Sequence, residues 1–140
     1  MGYDRVRYVR LEGRRDEVLS SVKSMLLAHK QVKLALVFGS SLERDVARDV
    51  DLAIYACPRL SFEELLRLGT KLELAAKVPV DLVQLQDLNP SFRLKILLKG
   101  LPLVVRSELL YHRLVAAAFS ELEDFKRAVE IAKGLALEQD

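Results

Sequence analysis

Residues 32–38, Val-Lys-Leu-Ala-Leu-Val-Phe, make a short and mostly apolar run that stops at Gly39-Ser40. Seven such residues, closed by a glycine, read as a buried strand. A buried strand needs neighbours to pair with and a layer to cover it. Residues 49–56 read as a second strand closed by Pro58, and residues 80–85 as a third, entered through Pro79. Between them Ser61, with Glu64 three positions on, forms a capping box, and a helix follows to about Lys77. Asn89-Pro90 opens a further helix with proline at its first position; it ends at Gly100, ahead of a short strand at 102–105. Upstream, residues 14–30 carry Val18, Val22, Met25 and Leu26 at helical spacing, and His29 at their end complements the helix dipole.

The remaining segments are less regular. Residues 3–12 alternate in part and read as an extended arm or edge strand, and the polar residues 41–48 suit a short helical turn. The last helix spans about 107–137, with Leu114, Ala118, Leu122, Phe125, Val129 and Ala132 in one stripe. That stripe reads as core, with docking of a partner or of a second copy as the alternative. The expected architecture is a single α/β (α+β) domain over 1–140, a small mixed sheet with helices packed on one face. Its core covers about 14–105, followed by the C-terminal helix.

Composition narrows the function. With 51 % hydrophobic residues, 140 residues bury a sizeable core. Charged residues are 30 % of the chain but the net charge is only +2, which argues against nucleic-acid binding by bulk charge. The arginines at 5, 7, 10, 14 and 15 read as a solvated edge, with contact to phosphates or an acidic partner as the alternative. Cys57 is the single cysteine, so no internal disulfide forms. Without a second thiol or a histidine at ligand spacing, it reads as a small buried or half-buried residue. No stretch approaches the roughly 18 apolar residues of a membrane span, and a cytoplasmic protein is expected.

The chemistry concentrates in three places. Asp49 and Asp51 lie two apart on a strand, so period two turns both carboxylates to one face and Val50, Leu52 and Ile54 to the other. Two such anions repel unless a cation sits between them, and Mg²⁺ favours carboxylates, water and phosphates. Gly39-Ser40, just after the first strand, lets the backbone approach a phosphate, with the serine hydroxyl as a further donor. Asp81, at the start of the third strand, joins the two acids if that strand pairs beside 49–56. Such a trio suits two-metal transfer of a phosphoryl or nucleotidyl group, with the third acid accepting a proton from the attacking hydroxyl.

Phe38-Gly39-Ser40, then Asp49-Val50-Asp51-Leu52, then Val80-Asp81-Leu82-Val83 resembles the DNA polymerase β-type nucleotidyltransferase superfamily. The small size, and the stretch from Leu88-Asn89-Pro90 to Leu97-Leu98-Lys99-Gly100-Leu101-Pro102-Leu103, resembles its minimal nucleotidyltransferase (MNT) group. The likeness covers roughly residues 14–105. It implies a polymerase β-like fold, Mg²⁺ on Asp49, Asp51 and Asp81, ATP or another triphosphate as substrate, and β/γ-phosphates on Gly39 and Ser40. It also implies an antitoxin role, in which AMP moves from ATP to a tyrosine of a HEPN-domain toxin. The pattern departs from many relatives in one loop. Only eight residues, Ser41 to Arg48, separate Ser40 from Asp49; the Arg-Gly is missing and Arg48 replaces a serine. The second reading is therefore a weak or inactive module that neutralises a HEPN-type partner by contact. A third is transfer to RNA ends or small molecules, for which no added domain is visible.

Two further features have ordinary readings. Arg93, Lys95 and Lys99 read as a solvated helix face, with reach to the triphosphate as the functional alternative. The Arg106–His112 spacing looks like a HEPN ribonuclease motif, but His112 reads as a surface or interface residue.

Overall fold

A computed structural model of the chain describes residues 9–10, 15–39, 46–47 and 50–138. Its elements run β1 (Val9–Arg10), α1 (Arg15–Leu27), β2 (Val32–Phe38), β3 (Val46–Ala47), β4 (Val50–Ala56), α2 (Phe62–Ala76), β5 (Val80–Gln84), a 3₁₀ turn (Leu85–Asp87), α3 (Pro90–Lys99), β6 (Leu101–Val105) and α4 (Glu108–Glu138). The main sheet has the order β5-β4-β2-β6. β2 is antiparallel to both β4 and β6, while β4 and β5 are parallel. The sheet is therefore mixed, as expected. β1 and β3 pair as a separate two-stranded ribbon. Residues 46–47 thus form a strand within the segment expected to be a helical turn; 41–45 and 48 lie outside the described residues.

Helices cover the sheet on both faces, which adds a layer to the expected one. On one face Val18, Val22 and Leu26 of α1 and Leu68, Leu72 and Ala76 of α2 pack on Val37, Leu52 and Ile54. On the other, Leu94, Ile96 and Leu97 of α3 and Ala118 of α4 pack on Leu34, Leu36 and Ala53. The reason is visible in β2, where Leu34 to Val37 are all buried: an apolar side chain on each face needs a cover on each face.

The caps hold as read. Ser61 Oγ accepts from the Glu64 N–H at 3.1 Å, and Glu64 Oε1 accepts from the Ser61 N–H at 3.0 Å. Asn89 Oδ1 accepts from the Phe92 N–H at 2.9 Å, with Pro90 leading the helix. His29 follows the last residue of α1, and its backbone N–H donates to the Leu26 carbonyl at 3.0 Å. The Arg106 guanidinium, from the end of β6, donates to the carbonyls of Leu27, His29 and Val32, so it caps the last residue of α1 and ties the helix end to the start of β2. Cys57 is exposed rather than buried, because it falls in the turn after β4 rather than on the strand. The apolar stripe of α4 divides: Leu114, Ala118 and Leu122 pack on the second core, whereas Phe125 is 62 % exposed. Among the described residues, no helix is long and apolar enough to cross a membrane.

Candidate functional site

Strand direction brings the chemistry to one edge. β2 runs toward that edge and delivers Phe38 and Gly39 there, while β4 and β5 start from it. Phe38 is the register partner of Asp51, and Asp51 is the register partner of Asp81. Partners in register share a sheet face, so Phe38, Asp51 and Asp81 lie in a row on one side. Phe38 packs against the second core, which identifies that side as the one under α3 and α4. Asp51 is half-buried and Asp81 exposed, so the row opens to solvent at its acidic end. Val50, Leu52 and Ile54 point into the opposite core, as the period-two reading requires.

Backbone ties fix the acids. The Val50 N–H donates to the Pro79 carbonyl at 2.9 Å, pinning the start of β4 to the start of β5. The Val80 N–H donates to Glu73 Oε1 at 3.0 Å, so a carboxylate of α2 sets where β5 begins, one residue before Asp81. Glu73 is a positioning residue that sequence spacing alone does not single out. Gln84, 2 % exposed, fastens the other end of β5: its Oε1 accepts from the Leu60 N–H at 2.8 Å and its Nε2 donates to the Leu60 carbonyl at 3.1 Å.

Gly39 is the residue that backbone geometry demands. Its φ is +77°, a region that side chains with a Cβ disfavour. A Cβ there would lie 2.2 Å from Asp51 Oδ2. The glycine is thus a cradle into which the Asp51 carboxylate fits. Two carboxylates in register on adjacent strands, with bare backbone against one of them, offer the all-oxygen donor set that a hard divalent ion prefers. Among the described residues no group of three metal-ligating side chains occurs. Asp49, the third acid of the expected set, lies outside the described residues, as does Ser40.

The basic residues of α3 separate into two kinds. The Arg93 guanidinium donates to the Leu85 carbonyl at 2.9 Å, to the Leu88 carbonyl at 2.7 Å and to Glu121 at 2.7 Å, so it ties α3 to the 3₁₀ turn and to α4. Lys95 and Lys99 instead line a groove that also contains Gly39. His112 is exposed, its ring 6.4 Å from that of Tyr111, and Arg106 is engaged at the end of α1; the pair does not form a ribonuclease site. Of the N-terminal arginines, those at 5, 7 and 14 lie outside the described residues.

A mixed four-stranded sheet that sets a glycine turn against acids on neighbouring strands is the arrangement of a nucleotidyltransferase. The family model described as "Polymerase beta, Nucleotidyltransferase" matches residues 20–109, and the chain belongs to that family. Solved structures share the fold. A chain of the MntA–HepT toxin–antitoxin complex aligns at a TM-score of 0.69 and 18 % identity, over 87 % of this chain and 98 % of that one. A chain from the tri-AMPylated Shewanella oneidensis HEPN toxin in complex with MNT antitoxin aligns with the same score, identity and coverage. A toxin–antitoxin structure with AMP-PNP aligns at 0.71 and 19 %, over 85 % of this chain and 98 % of that one. No curated protein sequence matches the chain.

Proposed function

We propose that the protein transfers AMP from ATP to a hydroxyl on a HEPN-type partner and so acts as an antitoxin. The observation that carries this reading is the register Phe38–Asp51–Asp81, with the Gly39 backbone closed against the Asp51 carboxylate. The relatives by fold support the biology, since one of them is an MNT antitoxin bound to a toxin that bears AMP groups.

Asp51 and Asp81, with Asp49, would hold Mg²⁺. Bound there, the ion supplies neutralising charge for the triphosphate and for the oxyanion that grows in the transition state. The protein's own groups supply the rest. Gly39 and Ser40 bind the phosphate tail through backbone N–H groups and the serine hydroxyl. Asp81, exposed at the open end of the row, accepts the proton of the acceptor hydroxyl. The freed oxygen attacks the α-phosphorus, the bond from that phosphorus to the bridging oxygen breaks, and pyrophosphate leaves with the electron pair. The register of β4 and β5 holds the acids still, so little reorganisation is needed at the moment of reaction.

The outer half of α4 would supply a face for a helical partner: Phe125, 62 % exposed, continues at helical spacing into half-buried Val129 and exposed Ala132 on a helix that runs past its own core. The test is transfer of α-labelled AMP to a HEPN-domain protein encoded beside this one, with Mg²⁺ present. Asp51→Asn and Asp81→Asn should each abolish labelling. Undiminished labelling by either variant would overturn the catalytic assignment.

A further inference from the structure

Gly39 has a second neighbourhood, on the same sheet face but toward β6 rather than toward the acid-bearing strands. A groove of about 360 Å³ opens there, lined by Phe38, Gly39, Phe92, Lys95, Lys99 and Gly100. Its floor is aromatic: the Phe38 and Phe92 rings meet edge to face with centroids 5.8 Å apart. Its wall is cationic. Lys95 and Lys99 stand one helical turn apart on α3, both exposed, and neither forms an ion pair or hydrogen bond with a described residue. Lys99 sits in the last turn, where a cation complements the helix dipole; Lys95 lies a turn earlier and gains less from it. Like charges at this spacing disfavour the helix slightly, so helix stability does not account for the pair.

The sheet order explains what the pair faces. Across the edge, β5 carries Asp81, β4 carries Asp51, β2 ends at Gly39, and β6 begins just after Lys99 and Gly100. Acids and lysines thus flank Gly39 on opposite sides. Two strand spacings, about 10 Å, separate β4 from β6, a distance that a triphosphate and a lysine side chain span together.

We propose that Lys95 and Lys99 bind the terminal phosphates of the nucleoside triphosphate and hold the pyrophosphate as it leaves. The assignment rests on the nucleotidyltransferase reading and names residues of the same site. The ammonium groups keep their protons throughout; they neutralise the charge that pyrophosphate acquires when the bond to the α-phosphorus breaks. The groove recognises an oligophosphate rather than a nucleobase, so ATP and pyrophosphate share it while AMP does not reach it.

Calorimetry on the full chain tests this, with ATP, AMP and pyrophosphate as probes and chelator present, so that only the protein's own cations contribute. Lys95→Gln and Lys99→Gln should each weaken ATP and pyrophosphate by about tenfold, the worth of a charge-assisted hydrogen bond, and leave AMP unchanged. Lys→Arg at either position should restore part of the loss. Both lysines are exposed, so melting temperatures should match the wild type. The proposal is overturned if pyrophosphate does not bind the wild type, if it binds the double variant equally well, or if AMP weakens in step with ATP, which would put the ribose and base in the groove. Lysine-dependent pyrophosphate binding in a protein that transfers no AMP would sustain the groove assignment and remove the catalytic one. AMP transfer with lysine-independent pyrophosphate binding would do the reverse.

Discussion

Gly39→Ala should cost the fold little and the function much. Two costs arise. The first is backbone: φ at +77° is left-handed, and an L-residue there loses roughly 1–2 kcal/mol relative to glycine. The second is steric: the new Cβ would lie 2.2 Å from Asp51 Oδ2 and 3.1 Å from Asp51 Cγ, whereas ordinary contact begins at 3.4 Å. The obstructing atoms are the end of a half-buried side chain, so the carboxylate swings away by about 1 Å and the fold survives. Stability should therefore fall by little more than the backbone cost, a melting temperature lower by roughly 3–10 °C. The function should fall much further, since a displacement of about 1 Å in a reacting constellation costs on the order of a hundredfold. The assay is labelled AMP transfer beside thermal denaturation, with Mg²⁺-dependent nucleotide affinity as a second readout. Wild-type transfer by Gly39→Ala would refute the argument that this glycine exists to seat Asp51.

Gln84→Leu should destabilise the fold by about 2–4 kcal/mol in chemical denaturation, because the Leu60 N–H and carbonyl both lose their buried partner. Arg106→Ala should cost about 2–3 kcal/mol and speed amide exchange from the end of α1 to the start of β2, where three carbonyls lose one guanidinium. Glu64 is held below its ordinary 4.5 chiefly by the hydrogen bond from the Ser61 backbone and then by the Ser61 side chain. A lowered folded value stabilises above the unfolded pKa, so this contribution is present above about pH 4.5 and is lost as pH falls through the lowered value. Denaturation of Glu64→Gln against pH should lack that component of the acid limb. Phe125→Glu should leave the isolated chain within about 0.5 kcal/mol of wild type, since the ring is exposed, yet abolish co-purification with a HEPN-type partner. An intact complex would place the partner elsewhere on the surface.

Helix caps and strand ends were legible where a residue acts through its own neighbours, though residues 46–47 form a strand rather than a turn. The Ser61 and Asn89 caps, the strand ending at Gly39 and the helix ending at Gly100 all follow from interactions within a few positions. The row of Asp51 and Asp81 was legible too, because period two and a pairing of adjacent strands suffice to build it. Long-range contacts were not legible. Arg106 reaches back more than seventy residues to the last carbonyl of α1, and no spacing rule announces that contact. Glu73 bonding Val80 depends on how α2 lies over β5. Arg93, Lys95 and Lys99 look alike as a basic helix face. Only the placement of the 3₁₀ turn and α4 reveals that Arg93 is consumed by structure, while the other two face the groove. The second helical layer was hidden for a related reason: alternation over 49–56 reports an acidic face at its start, not what covers Ala53 and Tyr55 further along the same face.

The mixed direction of the sheet is what gathers the candidate site at one edge. Had β2 run parallel to β4, the end of β2 would lie at the far end of the sheet from Asp51, and Gly39 could not seat its carboxylate. The antiparallel turnover between β2 and β4 brings a strand end and two strand starts together, so a backbone cradle and two acids meet without a long connection. The return of β6 beside β2 adds the last turn of α3 to the same edge, which is how cations arrive opposite the acids. A substrate whose charge runs from a reacting phosphorus to an anionic tail meets such an edge in order. On the proposed reading the acids would hold the reacting end, the glycine would admit the middle and the lysines would take the tail. The polarity of this edge, rather than any one residue on it, would then orient the triphosphate for attack at its α-phosphorus.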